Sequence, residues 1–186
     1  MLNQYIRLHR EFNPDLLFKI LIGSVLICLL GPVILTMQGE LPITLQTFAI
    51  LLVSISFGWR VGVISTLIYI GLGIAGVPVF TGYNSGIKPI LSANGGFYFG
   101  FIAASLITGM MTEWKAFQKP LTSIILWCTG HIIILALGIT WLSSFNPLWK
   151  SILIDALPGA LIKSAIGALI IQILYRMFRG RVNHYS

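Results

Sequence analysis

The sequence predicts an all-α membrane protein of six transmembrane helices, with a Gly/Pro-rich capping loop between the third and the fourth. Three observations predict it. Hydrophobic residues make up 56% and charged residues only 9% of the 186 residues, against roughly 25% charged in soluble domains. Mean hydropathy is +0.91. Apolar runs recur at about 20–36, 43–57, 61–75, 96–112, 121–143 and 152–177, and a span needs about 20 mainly apolar residues. These runs fill the chain, so a single transmembrane domain over 1–186 is expected, with no separate soluble domain.

The first run follows Arg7, Arg10, Glu11, Asp15 and Lys19 and lacks an A-x-A-like exit. No cleavable leader is expected, and the first span is expected to be retained. The second and third runs are short and meet at the tight turn "FGWR", so they tilt little or lie partly below the membrane surface. Thr44 and Gln46 place polar groups in the second run, for a ligand or for interhelical hydrogen bonds. Segment 77–95 is broken by Gly, Pro, Asn and Ser, yet it carries Pro78, Val79, Phe80, Ile87, Pro89, Ile90 and Leu91. It is too apolar for a free loop, and it is expected to fold back over the bundle as a cap.

In the fourth run Gly96 and Gly100 give the spacing that lets another helix approach closely. The fifth contains His131, either a proton relay or a neutral imidazole bonded to a neighbouring helix. In the sixth, Pro158 is read at the first helical position. That puts Lys163 about 7.5 Å deeper along the axis at 1.5 Å per residue. An ammonium there costs on the order of 2.5–3.5 kcal/mol on insertion scales. It either meets a ligand anion or snorkels to the outer surface. Ala156, Ala160, Ser164 and Ala168 recur every fourth residue on one side of the same helix.

Orientation follows from Lys and Arg in the short flanks. One set of flanks holds Arg7, Arg10, Lys19, Arg60, Lys115, Lys119, Arg176, Arg179 and Arg181; the other holds Lys88 and Lys150. Both termini are therefore expected on the cytoplasmic side of the cell membrane. The loops "TMQGELP", 77–95 and "SSFNPLWKSILIDALPG" fall outside, and Trp59, Trp114, Trp141 and Trp149 fall near span ends. The net charge of +7 is absorbed by topology and anionic lipid, so no nucleic-acid partner is expected.

Several function classes find no motif. Cys28 and Cys128 stand about a hundred residues apart, without metal or redox spacing. "GALIKS" has Ile162 where a phosphate loop requires glycine. No HExxH, CxxC or G-x-S-x-G is present. No enzyme activity, metal or cofactor is expected.

Four stretches, in this order, resemble the BioY family of biotin transporters, the substrate-binding S components of energy-coupling factor systems. They are "LPITLQ" at 41–46, "YIGLGIAGVPVFTG" at 69–82, "NGGFYFGF" at 94–101 and "LPGALIK" at 157–163. The corresponding family patterns are V-P-I-T-L-Q, Y-x-x-x-G-x-x-G-x-P-V-F-x-G, G-G-Y-x-x-G-F and P-G-D-x-x-K. The resemblance covers roughly residues 20–177. It implies six helices, biotin held near the outer side, and docking on a coupling membrane protein driven by an ATPase pair. Some members are thought to act without that module.

On this resemblance Lys163 is expected to answer the biotin carboxylate by charge-assisted hydrogen bonding. Asn84, Asn94, Gln46 and Tyr98 are candidates for the ureido edge, and Phe80 and Tyr83 for covering the rings. Ala160 stands where the family has the acidic residue expected to hold the ureido group. The coupling stripe of the first helix is reduced to Gly23, Ser24 and Cys28. The alternatives are an S component for a different vitamin, a solo or proton-driven secondary carrier, and a structural scaffold.

Overall fold

A computed structural model describes residues 14–38, 41–113 and 119–182. Arg7, Arg10, Glu11, Trp114 and Lys115 of the sequence reading lie outside the described residues. Proline starts two of the helices, because its fixed φ suits the first turn and its missing N–H has no partner there anyway. Helix α1 is Pro14–Leu30. Asp15 stabilises its first turn and receives a 2.8 Å hydrogen bond from Lys19 one turn on. Gly31 and Pro32 then break the helix.

The chain next forms an antiparallel hairpin of β1 (Ile34–Gln38) and β2 (Leu41–Thr44), with Ile34 paired to Thr44 and Gln38 to Leu41. This corrects two expectations: the fold is not purely helical, and the first helix does not run to 36. The backbone freed beyond the Gly–Pro break pairs with itself, which satisfies its polar groups without water.

Helix α2 (Gln46–Phe57) and α3 (Trp59–Ile74) are joined by Gly58 alone. Its φ of +84° is open to glycine at little cost. After the segment 75–94, which holds the short helix α4 (Lys88–Leu91), come α5 (Gly95–Glu113), α6 (Pro120–Leu142) and α7 (Trp149–Val182). Among the described residues, three stretches are long and apolar enough to cross a membrane: Gly95–Thr112, Pro120–Leu142 and Trp149–Met177.

The expected loop 143–159 is largely helix. Asn146 Oδ1 accepts from Leu148 N at 2.8 Å, a local turn that launches α7 at Trp149. Pro158 therefore sits inside the helix instead of opening it, where it removes one backbone donor. Lys163 lies about 21 Å beyond Trp149 along the axis, not 7.5 Å from the helix start.

The core joins Ile27, Ile50, Leu51, Tyr69, Phe80, Leu126, Trp127 and Ile134 from four helices and the 75–94 segment. Polar side chains tie helices together: Thr66 meets Ser105 at 3.0 Å, and Ser65 donates to the Ile20 carbonyl at 3.1 Å. The outer faces carry exposed Leu21, Leu29, Leu121, Ile132, Leu161 and Leu169. Apolar exposure on this scale fits lipid as the solvent. Gly100 lies where a Cβ would come within 3.0 Å of Ile134 Cα, so α5 and α6 touch at the backbone.

Gly23 and Ser24 are buried; a Cβ on Gly23 would meet Ser65 Oγ and Val53 within 2.8 Å. Gly23 packs α1 onto α2 and α3, and Ser24 Oγ donates to the Ile20 carbonyl of its own helix at 2.8 Å. Cys28 is half-buried.

Candidate functional site

Segment 75–94 is anchored at several points. Gly86 N donates to Gly73 O at 2.7 Å, Gly82 N to Pro32 O at 3.0 Å, and Phe80 N to Asn84 O at 3.0 Å. Phe80 is fully buried. Its ring seats where a side chain on Gly73 would be, edge-on to Tyr69 at 5.6 Å and to Tyr98 at 4.9 Å. Tyr98 continues the row to Phe101 at 5.6 Å. Gln46, buried in the first turn of α2, donates through Nε2 to Tyr69 OH and accepts through Oε1 from Thr81 Oγ1 at 2.8 Å. One side chain thus links α2, α3 and the overlying segment.

Beneath this segment lies a cavity of about 570 Å³, bounded also by the hairpin and by α2, α5, α6 and α7. Its volume falls in the range of small-molecule sites, roughly 300–1,000 Å³. Ile34, Ile43, Phe97, Phe101, Ile134 and Leu135 supply apolar wall. Among the described residues, Lys163 is the only Lys or Arg lining it. Its Nζ donates to Thr47 Oγ1 at 2.7 Å and to Thr44 O at 3.3 Å. The ammonium is thus held inward against the start of α2 and does not snorkel. Two oxygens of partial charge do not neutralise it, so the cavity carries a net positive site.

Seven of the eight expected binding residues line this one cavity: Lys163, Asn84, Asn94, Gln46, Tyr98, Phe80 and Ala160. Tyr83 does not. It is 69% exposed, at φ +62°, on the tip of a turn closed by Asn84 Nδ2 donating to Thr81 O at 2.8 Å. Asn84 and Asn94 are exposed at the mouth, whereas both ends of the Gln46 amide are already engaged.

The stripe on α7 divides its duties: Ala156 and Ala160 line the cavity, while Ser164 and Ala168 are buried. Ser164 Oγ lies 3.0 Å from His131 Nδ1, and the Ala168 carbonyl accepts from Ser123 Oγ at 3.5 Å. Gly159 sits against Ile43 of the hairpin, where a Cβ would be 3.1 Å from Cδ1.

Sequence reasoning missed Thr47, Thr81, Phe97 and Phe101 as lining residues. The last two were signalled by aromatic residues at 97, 98 and 101, a spacing that puts them on one side of a helix. Thr47 and Thr81 gave no such signal, since their partners lie far along the chain.

A largely apolar cavity with a few placed polar groups, enclosed by lipid-facing helices, defines a membrane-embedded binding protein for a small amphiphilic molecule. Comparison with known proteins narrows the class. The chain belongs to the BioY family, whose model matches residues 8–180. It is 35% identical over 130 residues to the biotin transporter BioY2 of Lactococcus lactis subsp. cremoris (strain MG1363), covering 68% of this chain and 69% of that one. It is 33% identical over 137 residues to the probable biotin transporter BioY of Pyrococcus horikoshii, covering 72% and 80%. The fold matches a crystal structure of the S-component for biotin from an ECF-type ABC transporter, with TM-score 0.76 and 27% identity, over 87% of this chain and 91% of that one.

Proposed function

We propose that the protein takes up biotin across the cytoplasmic membrane as the substrate-binding component of an energy-coupling factor transporter. A coupling membrane protein and an ATPase pair are its partners. The observation that carries this reading is the single inward-held ammonium of Lys163 in a cavity of ligand size. Biotin is an apolar bicycle with a polar ureido edge and one carboxylate. The desolvated carboxylate needs a cation, and Lys163 supplies it. Asn84, Asn94 and Tyr98 face the ureido edge, and Phe80 closes over the rings.

In this reading six helices span the bilayer, α2 together with the hairpin that precedes it. Segment 75–94 is the lid on the outer side. Lys19, Arg60, Lys119 and Arg176 mark the cytoplasmic end, and Lys88 and Lys150 the outer end, so both termini are cytoplasmic. With Gly23 and Ser24 buried, the α1 surface left for the coupling protein is formed by Leu21, Val25, Cys28 and Leu29.

Titration of the purified protein with radiolabelled biotin tests the function. Saturable binding, undisturbed by an excess of other vitamins, is expected. Absence of saturable binding, or displacement by a different vitamin, overturns it.

A further inference from the structure

His131 enters no role above, yet its ring lines the same cavity and is only 4% exposed. Nδ1 lies 3.1 Å from the Trp127 carbonyl and 3.0 Å from Ser164 Oγ. Nε2 is buried with no hydrogen-bond partner. A neutral imidazole has one N–H and one bare nitrogen. The Trp127 carbonyl can only accept, which favours the tautomer protonated at Nδ1, with Ser164 Oγ as the second neighbour of that nitrogen. Nε2 is then a bare acceptor. An imidazolium would instead bury a second N–H with nothing to receive it, near the Lys163 ammonium on the same cavity wall.

Asn84 and Asn94 stand at the exposed mouth, and the polar groups nearer the Lys163 end offer few free acceptors. Lys163 only donates, Thr47 Oγ already accepts from it, and the Gln46 oxygen accepts from Thr81. Position 160, one turn before Ser164 on α7, offers a methyl group. A buried polar atom without a partner is disfavoured until something supplies one, and a ligand N–H can do so.

We propose that His131 is a specificity-determining residue whose Nε2 accepts a hydrogen bond from a ureido N–H of the ligand. The inference rests on the biotin reading of the cavity and deepens it. It assigns the N–H recognition of the cyclic urea to α6, while Lys163 of α7 provides the cationic contact. Nδ1 is the nitrogen that fixes the ring, through Trp127 and Ser164.

The test compares biotin with an analogue methylated on both ureido nitrogens, bound to wild type and to His131→Phe. The variant is expected to bind biotin at least tenfold more weakly while its affinity for the methylated analogue stays within about twofold of wild type. Equal losses for both ligands would reduce His131 to packing, and an unchanged biotin affinity would remove it from the site; either result overturns the proposal. A wild type that binds neither ligand would instead overturn the biotin reading itself. Should His131→Phe not fold, ¹⁵N-histidine spectra of the wild type decide. The His131 Nε2 resonance is expected to move upfield with biotin and to stay put with the methylated analogue, and an unmoved resonance with biotin overturns the proposal.

Discussion

Lys163 Nζ donates to Thr47 Oγ1 at 2.7 Å, joining residues that lie more than a hundred positions apart, on α7 and α2. The bond turns an ammonium that lipid would expel into the wall of the cavity. Hydrogen bonds to charged groups contribute about 1.5–3 kcal/mol, comparable to the roughly 2.5–3.5 kcal/mol insertion cost of a Lys at a helix centre. The ligand-free protein therefore gains little net stability from Lys163. Lys163→Met is expected to leave the Tm of the empty protein unchanged or raised, while biotin binding weakens at least tenfold. Thermal unfolding in detergent and equilibrium binding check the two halves separately. A variant that binds biotin as wild type does would remove Lys163 from the site.

Gly73 and Phe80 set the position of segment 75–94. A methyl group at 73 would collide with the Phe80 ring, and that ring is wedged between Tyr69 and Tyr98. Overpacking of this kind costs about 1–3 kcal/mol. Gly73→Ala is expected to push Phe80 and its segment outward, lowering stability by that order and weakening biotin at least fivefold. Gly71→Ala, on the same helix but facing open space, is expected to do neither, which separates displacement of the segment from a general helix effect.

Much of this arrangement was legible in the residues themselves. Proline and glycine mark the helix ends, and the apolar runs at 96–112 and 121–143 fall within one residue of α5 and α6 at each end. An ammonium in an apolar run either meets an internal partner or snorkels, and the sequence left both open for Lys163, whose Nζ lies inward against Thr47 and Thr44. The hairpin was hidden because Ile34–Gln38 continues a greasy stretch, and short apolar runs do not distinguish strand from helix by periodicity. Pro158 misled because a helix start and the interior of a membrane helix both accept proline. Thr47, Thr81 and the orientation of Tyr83 depend on contacts between distant segments, which no local pattern encodes.

Gln46 connects segment 75–94 to the bundle, so its loss has a spatially specific signature. Gln46→Leu removes the partner of both Tyr69 OH and Thr81 Oγ1. A buried polar group left unpaired costs about 1–3 kcal/mol. Lower global stability is expected, together with faster amide exchange confined to that segment, first at Gly82 and Gly86, whose N–H groups bond Pro32 and Gly73. Exchange that rises uniformly through α5 and α6 as well would show that Gln46 supports the whole bundle instead of that segment.

Tyr83 gives the converse case, a residue close to the site in sequence and outside it in space. Its φ of +62° is a left-handed conformation that costs a bulky side chain about 1–2 kcal/mol. Its ring is mostly solvent-facing and does not line the cavity. Tyr83→Gly relieves the strain but also enlarges the conformational freedom of the unfolded chain, an opposing effect of about 0.4–1 kcal/mol. The net expectation is an unchanged or slightly raised Tm and a biotin affinity within about twofold of wild type. A loss of tenfold or more would mean that the turn swings inward when biotin binds, bringing the tyrosine over the rings in a closed state distinct from the one described.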